Sequence, residues 1–336
     1  MGNKQVKSIV NLSHADLRSF VIRWQITSLC NYRCDFCVQG SREAHLEAAK
    51  VESVSIREKI ADNLVNYIET KIGKEETVEL YLIGGEVTIL KDFPDILRKF
   101  IDCRFKGRII VYLTTNLSMG PDYFVSLCEM FRGKRGRTLK ISASYYRDFT
   151  TPETFCGTVL RLSPYFPLKR WPFRKNVLFS IGIPMIDDES WHVYNEMKKA
   201  FDKLRVSVNP IMLRDYNTNL SEEVRTRLEP QNADVGSLLV SFIGGIKRRF
   251  MNMAQLGYYL NESDRKFHPQ GYYCDAGRNC ISVSADGQVW RCPVLSPPES
   301  FRMGNIWDEG FSLLSSPAIC DADHCSCSYF TKIWHT

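Results

Sequence analysis

The chain has 336 residues, of which 44% are hydrophobic and 24% charged, a mix that excludes disorder, collagen and coiled coil. The 44 Lys+Arg against 38 Asp+Glu leave +6, too thin a surplus to imply nucleic acid, though it suits an anionic substrate. A chain this long can bury its apolar surface without disulfides, so its 12 cysteines, clustered rather than scattered, need another explanation.

The opening segment MGNKQVKSIVNLSHADL lacks the apolar run of a secretory signal, and Val6 breaks the myristoylation pattern that Met-Gly would begin. The longest apolar stretches fall short of the roughly 20 residues a membrane span needs. The expectation is a cytoplasmic chain with no membrane contact and reduced thiols. Grouped cysteines in that setting read as metal ligands or redox groups.

The predicted strands run from Ser19 to Thr27, Thr77 to Ile83, Arg108 to Thr114, Thr138 to Ser144, Asn176 to Ile183 and Val206 to Leu213. They show little alternation, as parallel strands buried on both faces do. Amphipathic stretches lie between them. Ser55 is placed to cap a helix with apolar face Ile56, Ile60, Leu64, Tyr67 and Ile68. Asp92 followed by Pro94 opens a second helix, Pro121 a third, Thr151-Pro152 a fourth, and Asp188 a fifth that runs towards Leu204.

Six strands joined by crossovers imply a parallel sheet with right-handed connections. Six units are too few for an eight-stranded barrel, so the predicted fold is α/β, a partial (β/α)6 TIM-type barrel over residues 19–213. Residues 1–18 read as an N-terminal extension and 214–270 as a helical linker region. In the linker, Val235, Leu238, Leu239, Phe242, Ile246, Phe250 and Met253 recur at helical spacing. Gly244-Gly245 interrupt that pattern at about 1 kcal/mol each against Ala. Residues 271–336 are rich in Cys, Gly and Pro and read as a small cysteine-rich α+β domain that a metal centre would staple.

Cys30, Cys34 and Cys37 follow the first strand in SLCNYRCDFCVQG, on a loop at a strand's C-terminal end, where α/β folds place chemistry. Zinc would want a fourth ligand; His45 is the nearby candidate, in a run that reads as an ordinary exposed helix. Three thiolates on a four-iron cluster would instead leave one iron open.

This motif, its position and the aromatic Phe36 before the last cysteine resemble the radical S-adenosylmethionine (SAM) superfamily. The resemblance implies a [4Fe–4S] cluster that chelates SAM and cleaves it reductively to a 5′-deoxyadenosyl radical, which takes a hydrogen atom from substrate. A reductant such as flavodoxin or ferredoxin would then be a partner. Gly84, Gly85 and Glu86 resemble the family's Gly-Gly-Glu segment beside the methionyl amine, with Val87 where Pro is usual. Two glycines let backbone approach a ligand closely, and a neighbouring carboxylate accepts from an ammonium. Thr115 and Asn116 match a Thr-Asn pair facing the active site. Ser142 and Ser144 are placed to reach the SAM ribose or carboxylate, and Ile181-Gly182-Ile183 resembles the apolar segment beside adenine. The resemblance covers about residues 19–213.

Cys274 and Cys292 bracket ISVSADGQVW, whose Asp286-Gly287 is a hairpin turn signal. Their spacing is similar to the opening half of SPASM and twitch domains, and Cys320, Cys325 and Cys327 follow. The resemblance implies one auxiliary [4Fe–4S] cluster on Cys274, Cys292 and two of Cys320, Cys325 and Cys327, with Cys280 and His324 in reserve. A zinc ribbon would show similar pairs. Cys103 and Cys128 read as packing, and Cys156 or Cys280 as an optional thiol hydrogen-atom donor. Arg147, Arg170, Gly133 to Arg137 and Lys247 to Arg249 read mainly as solvated charge, although either of the first two could meet an anionic substrate.

Three functions compete. The first is an enzyme that oxidises, epimerises or rearranges a small molecule such as a sugar or nucleoside. The second is a peptide modifier that crosslinks or epimerises; the 18 residues before the first strand leave no room for a leader-binding element, which favours the first. The third is a non-catalytic zinc or iron–sulfur protein.

Overall fold

The predicted strands are rich in branched and aromatic side chains, and each forms within two residues of its expected ends in the computed structural model. The structure describes residues 6–11, 19–37, 40–74, 76–166, 176–204, 206–213, 218–233, 238–242, 245–251, 267–292, 298–323, 325 and 332–334. After β1 (Val6–Asn11) come β2 (Phe20–Thr27), β3 (Thr77–Gly84), β4 (Arg108–Thr115), β5 (Arg137–Ser144), β6 (Val177–Met185) and β7 (Val206–Met212). The helices are α1 (Arg42–Ala48), α2 (Val54–Lys71), α3 (Phe93–Asp102), α4 (Pro121–Phe131), α5 (Pro152–Leu162), α6 (Asp188–Ala200) and α7 (Glu222–Ala233). None of the described helices is long and apolar enough to cross a membrane.

Two compact units result, neither continuous in sequence. One combines 24–75 with 80–226, the other 1–23, 76–79 and 227–336. In the larger unit the strand order is β2-β3-β4-β5-β6-β7. The pairs β4·β5, β5·β6 and β6·β7 are parallel, giving an α/β fold with a mainly parallel sheet.

Three expectations about this unit are corrected. Ser53, not Ser55, caps α2; its backbone is extended and its hydroxyl accepts from Ile56 N at 3.2 Å, while Ser55 already lies in the first turn. The strands are buried on both faces only in part, as at Thr77–Leu80 and Ile181–Met185. Along β4 and β5 the residues Ile109, Val111, Leu113, Leu139, Ile141 and Ala143 are buried, while Tyr112, Thr114, Lys140 and Ser142 on the other face are half-buried or exposed. Arg137 is not solvated: its guanidinium donates to the carbonyls of Ile101, Cys103, Phe105 and Gly107 at 2.9–3.1 Å, closing the turn before β4.

The second unit holds β8 (Leu238–Phe242), β9 (Gly245–Met251), β10 (Tyr273–Cys274), β11 (Cys280–Val283), β12 (Gln288–Trp290), β13 (Arg302–Asn305), β14 (Ala318–Ile319) and β15 (Lys332–Trp334). Its six-stranded sheet has the order β14-β10-β15-β1-β8-β9. The N-terminal segment is therefore a sheet strand, antiparallel to both β8 and β15. The expected helix through Leu238 to Met251 is instead the antiparallel pair β8·β9. Over five to seven residues, apolar spacing does not separate a buried strand from a helix, and β1 supplies the ladder partner that favours the strand. The predicted hairpin forms as β11·β12, with Gly287 at φ +82°.

Arg57 and Asp92 tie α2 to the start of α3 through bonds of 2.8 and 2.9 Å, with both side chains nearly buried. Truncating one partner of such a pair leaves an uncompensated charge. Arg57→Met is expected to lower the unfolding free energy by about 3 kcal/mol, read as a fall in the urea midpoint at unchanged slope.

Candidate functional site

The backbone leaving β2 passes directly over the end of β3. Gly85 N donates to Thr27 O at 2.9 Å and Glu86 N to Leu29 O at 2.8 Å. A Cβ on Gly85 would lie 2.0 Å from Leu29 O and 2.9 Å from Cys30 N; one on Gly84, at φ +153°, would lie 2.1 Å from Thr27 O. The glycines thus serve first to admit the chain's own cysteine loop rather than a ligand. Glu52, which the sequence reading missed, fixes the same turn: Thr27 Oγ1 and Ser28 N each donate to its carboxylate at 2.5 Å.

Glu86 is 1% exposed. Oε1 accepts from Thr88 N, Thr88 Oγ1 and Thr115 Oγ1 at 3.2, 2.6 and 2.9 Å, and Oε2 from Asn116 N at 2.6 Å. Burial pushes its carboxyl above the usual range, while these donors pull it back. Asn116 Nδ2 donates to Asn31 Oδ1 at 3.0 Å, carrying the connection into the cysteine loop. The structure thus joins Gly84, Gly85, Glu86, Thr115 and Asn116 in one hydrogen-bonded frame, and its Glu86 side chain holds strands together.

Cys30, Cys34 and Cys37 occupy that loop, with Cys37 N on Cys34 O at 3.1 Å. Burial, then the negative charges of Cys30, Cys37, Asp148 and Asp35, push the Cys34 thiol up to about 12. Cys30 is also raised, by burial first and then by Glu86 and Cys37, while the 3.4 Å bond from Tyr32 N opposes the shift. Three thiols on one short loop are a donor set that suits a thiophilic metal centre. Among the described residues no three His, Cys, Asp or Glu side chains converge on a single-ion site. A four-iron cluster takes one thiolate per iron and so spreads its ligands; the three thiols fit it. His45 departs from its expected exposed setting: it is 9% exposed, with Nε2 3.6 Å from Cys37 Sγ.

Aromatic rings that the sequence reading did not connect cover the loop. Tyr32 stacks on Phe149 at 4.4 Å, and Phe36 on Tyr146 at 5.8 Å. Burial pushes the Tyr146 phenol up to about 12, with the Cys34, Cys37 and Cys30 charges acting in the same direction. Ser144 is hydrogen-bonded to Tyr146. A cleft beside this cover is lined by Phe36, Tyr146, Phe149, Ile183, Pro184 and Val193. Ile181 and Ile183 are buried, and Ile211 lies over Gly182, where a Cβ would meet its Cδ1 at 2.4 Å. Arg147 is bound head-on by Asp187 at 2.8 and 2.6 Å, which removes it as a ready cation for substrate. Arg170 lies outside the described residues.

The less buried sheet face is polar and in register. Thr114, Ser142, Ser180 and Ser207 stand opposite one another across β4 to β7. Lys140 Nζ donates to Tyr112 OH at 2.8 Å, and Tyr112 stacks on Tyr81 at 4.0 Å.

In the other unit Cys274 on β10 pairs with Ala318 on β14, and Cys320, which directly follows β14, donates from its N to Tyr272 O at 2.8 Å; both cysteines are buried. Cys280 is buried on β11, Cys292 ends the β12 side of the hairpin, and Cys325 N bonds Phe267 O at 2.8 Å. Cys327 and His324 lie outside the described residues. Cys128 is fully buried on α4, and Cys103 Sγ lies 3.2 Å from Phe100 O. Cys156 sits on α5, its thiol raised by burial and then by Glu153.

Residues 24–133 match the family model of the Radical SAM superfamily. The solved structure of native anSMEcpe with bound AdoMet is similar at TM-score 0.51 and 16% identity, over 86% of this chain and 78% of that one. BtrN in an open conformation aligns at TM-score 0.36 and 12% identity, over 85% and 74%. Streptococcus suis SuiB aligns at TM-score 0.37 and 11% identity, over 87% and 64%. The first of these supports the α/β fold.

Gly85→Ala forces Leu29 and Cys30 to move and is expected to cost about 2–3 kcal/mol. Gly157, inside α5, has open space where a Cβ would go, so Gly157→Ala is expected to stabilise by about 1 kcal/mol. Thermal melts of the two variants should shift in opposite directions.

Proposed function

We propose that this chain is a radical SAM enzyme acting on a small polar molecule. The observation that carries the reading is the loop of three thiols seated on a glycine pair at adjoining strand ends. When bound, a four-iron cluster supplies the electron that cleaves SAM to a 5′-deoxyadenosyl radical, which removes a hydrogen atom from substrate. Cys30, Cys34 and Cys37 would hold it and leave one iron for SAM. The Gly84-Gly85-Glu86 segment would meet the methionyl amine, with Glu86 held in place by Thr88, Thr115 and Asn116. Phe36 and Ile183 line one cleft and would enclose adenine, while Tyr32, Tyr146 and Phe149 would shield one side of the loop. Ser142 faces outward for the ribose or carboxylate, and Ser144 acts through Tyr146.

The hydroxyl row Thr114, Ser142, Ser180 and Ser207, with Lys140 one row away, favours a hydroxylated or anionic metabolite. Cys274, Cys292 and two of Cys320, Cys325 and Cys327 would hold the auxiliary cluster, and a flavodoxin- or ferredoxin-type donor would supply electrons.

Anaerobic reconstitution followed by iron and sulfide analysis tests this directly. Two four-iron clusters require about eight irons per chain; four would remove the auxiliary cluster, and zinc alone would overturn the whole reading. Cys34→Ala should abolish 5′-deoxyadenosine formation while retaining the iron of the C-terminal site. Release of 5′-deoxyadenosine with candidate metabolites, set against candidate peptides, decides the substrate class.

A further inference from the structure

The helix α1 is built inside out. Among its described residues Leu46 is 50% exposed, whereas His45 is 9% exposed. An isolated surface helix gains by turning its leucine inward and its imidazole to water. Here the imidazole points inward, with Nε2 3.6 Å from Cys37 Sγ, inside the range of hydrogen bonds to sulfur. The segment is held in place at both ends: Ser41 caps the helix through Ala44 N, and Glu52 anchors its far side to Thr27 and Ser28.

We infer that His45 is a positioning residue for the cluster, donating Nε2–H to the Cys37 sulfur and raising the cluster's reduction potential. The inference rests on the proposed function above. A thiolate bound to iron has no proton to give, so the imidazole must be the donor. Reduction adds negative charge that spreads onto the cysteine sulfurs. A hydrogen bond to one of them therefore stabilises the reduced form more than the oxidised one, and such bonds are among the factors that set cluster potentials. His45 acts through Cys37 and leaves the fourth iron open to SAM.

The test is a potentiometric titration of the reconstituted full chain, followed on the EPR signal that SAM perturbs, with wild type, His45→Gln and His45→Phe. Gln keeps an N–H donor; Phe fills the space without one. The Phe variant should keep its iron and hold about tenfold less reduced cluster at a fixed donor potential, a shift of about 59 mV to lower potential for one electron. The Gln variant should recover most of that loss. An intact cluster with wild-type potential in His45→Phe overturns the role of His45. A second measurement needs no variant: with 15N-histidine label, pulsed EPR of the reduced wild type should show one weakly coupled nitrogen. Strong coupling would mean direct ligation, and no coupling would mean no contact; either result overturns the inference even if His45→Phe fails to fold. Wild type that takes up no iron at the first cysteine group overturns the parent reading instead.

Discussion

The contact on which the rest of the site depends contains no side chain at all. Two consecutive residues at the end of β3 give up their Cβ atoms so that the chain leaving β2 can cross at hydrogen-bonding distance, Gly85 N on Thr27 O and Glu86 N on Leu29 O. Because strand ends are covalently continuous with their loops, this crossing sets the direction in which Cys30, Cys34 and Cys37 depart. It also places Glu86 one residue further on, under the end of β4, where its buried carboxylate collects Thr115 and Asn116. Asn116 returns to Asn31, so three strand ends and one loop share a single hydrogen-bonded frame.

Electrostatics gives that frame its chemical bias. Glu86 and the neighbouring thiols all push the Cys30 or Cys34 thiol upward, and burial does the same. Arg147, a basic side chain of the β5–α5 loop, is taken by Asp187, which also caps α6. Partial burial of the loop thus favours the neutral thiols, and binding a metal centre would deprotonate them.

Away from the loop, the two faces of the sheet differ in polarity, following the two-residue period of its strands. Alternate residues of β4 and β5 are buried, and on the other face Thr114, Ser142, Ser180 and Ser207 align because parallel register places them opposite one another. The same strands that anchor the core therefore present hydroxyls on the other face.

Much was legible from local sequence. The order and extent of six strands followed from their branched and aromatic runs, helix starts from Asp92-Pro94, Pro121 and Thr151-Pro152, and the β11·β12 turn from Asp286-Gly287, since each reflects a preference of a few neighbouring residues. The tight cysteine spacing and the Gly-Gly-Glu segment were likewise local signals. Tertiary structure alone decided whatever depends on residues distant in the chain. Leu238–Phe242 form a strand between β1, more than 220 residues earlier, and β9, and a short apolar run carries no record of its partners. Glu86 turns inward because Thr115 and Asn116 donate to it, and Arg137 is buried because four carbonyls gather around it. His45 reads as exposed in an exposed-looking helix, yet it faces Cys37, because the side of a helix that turns inward is set by what it lies against.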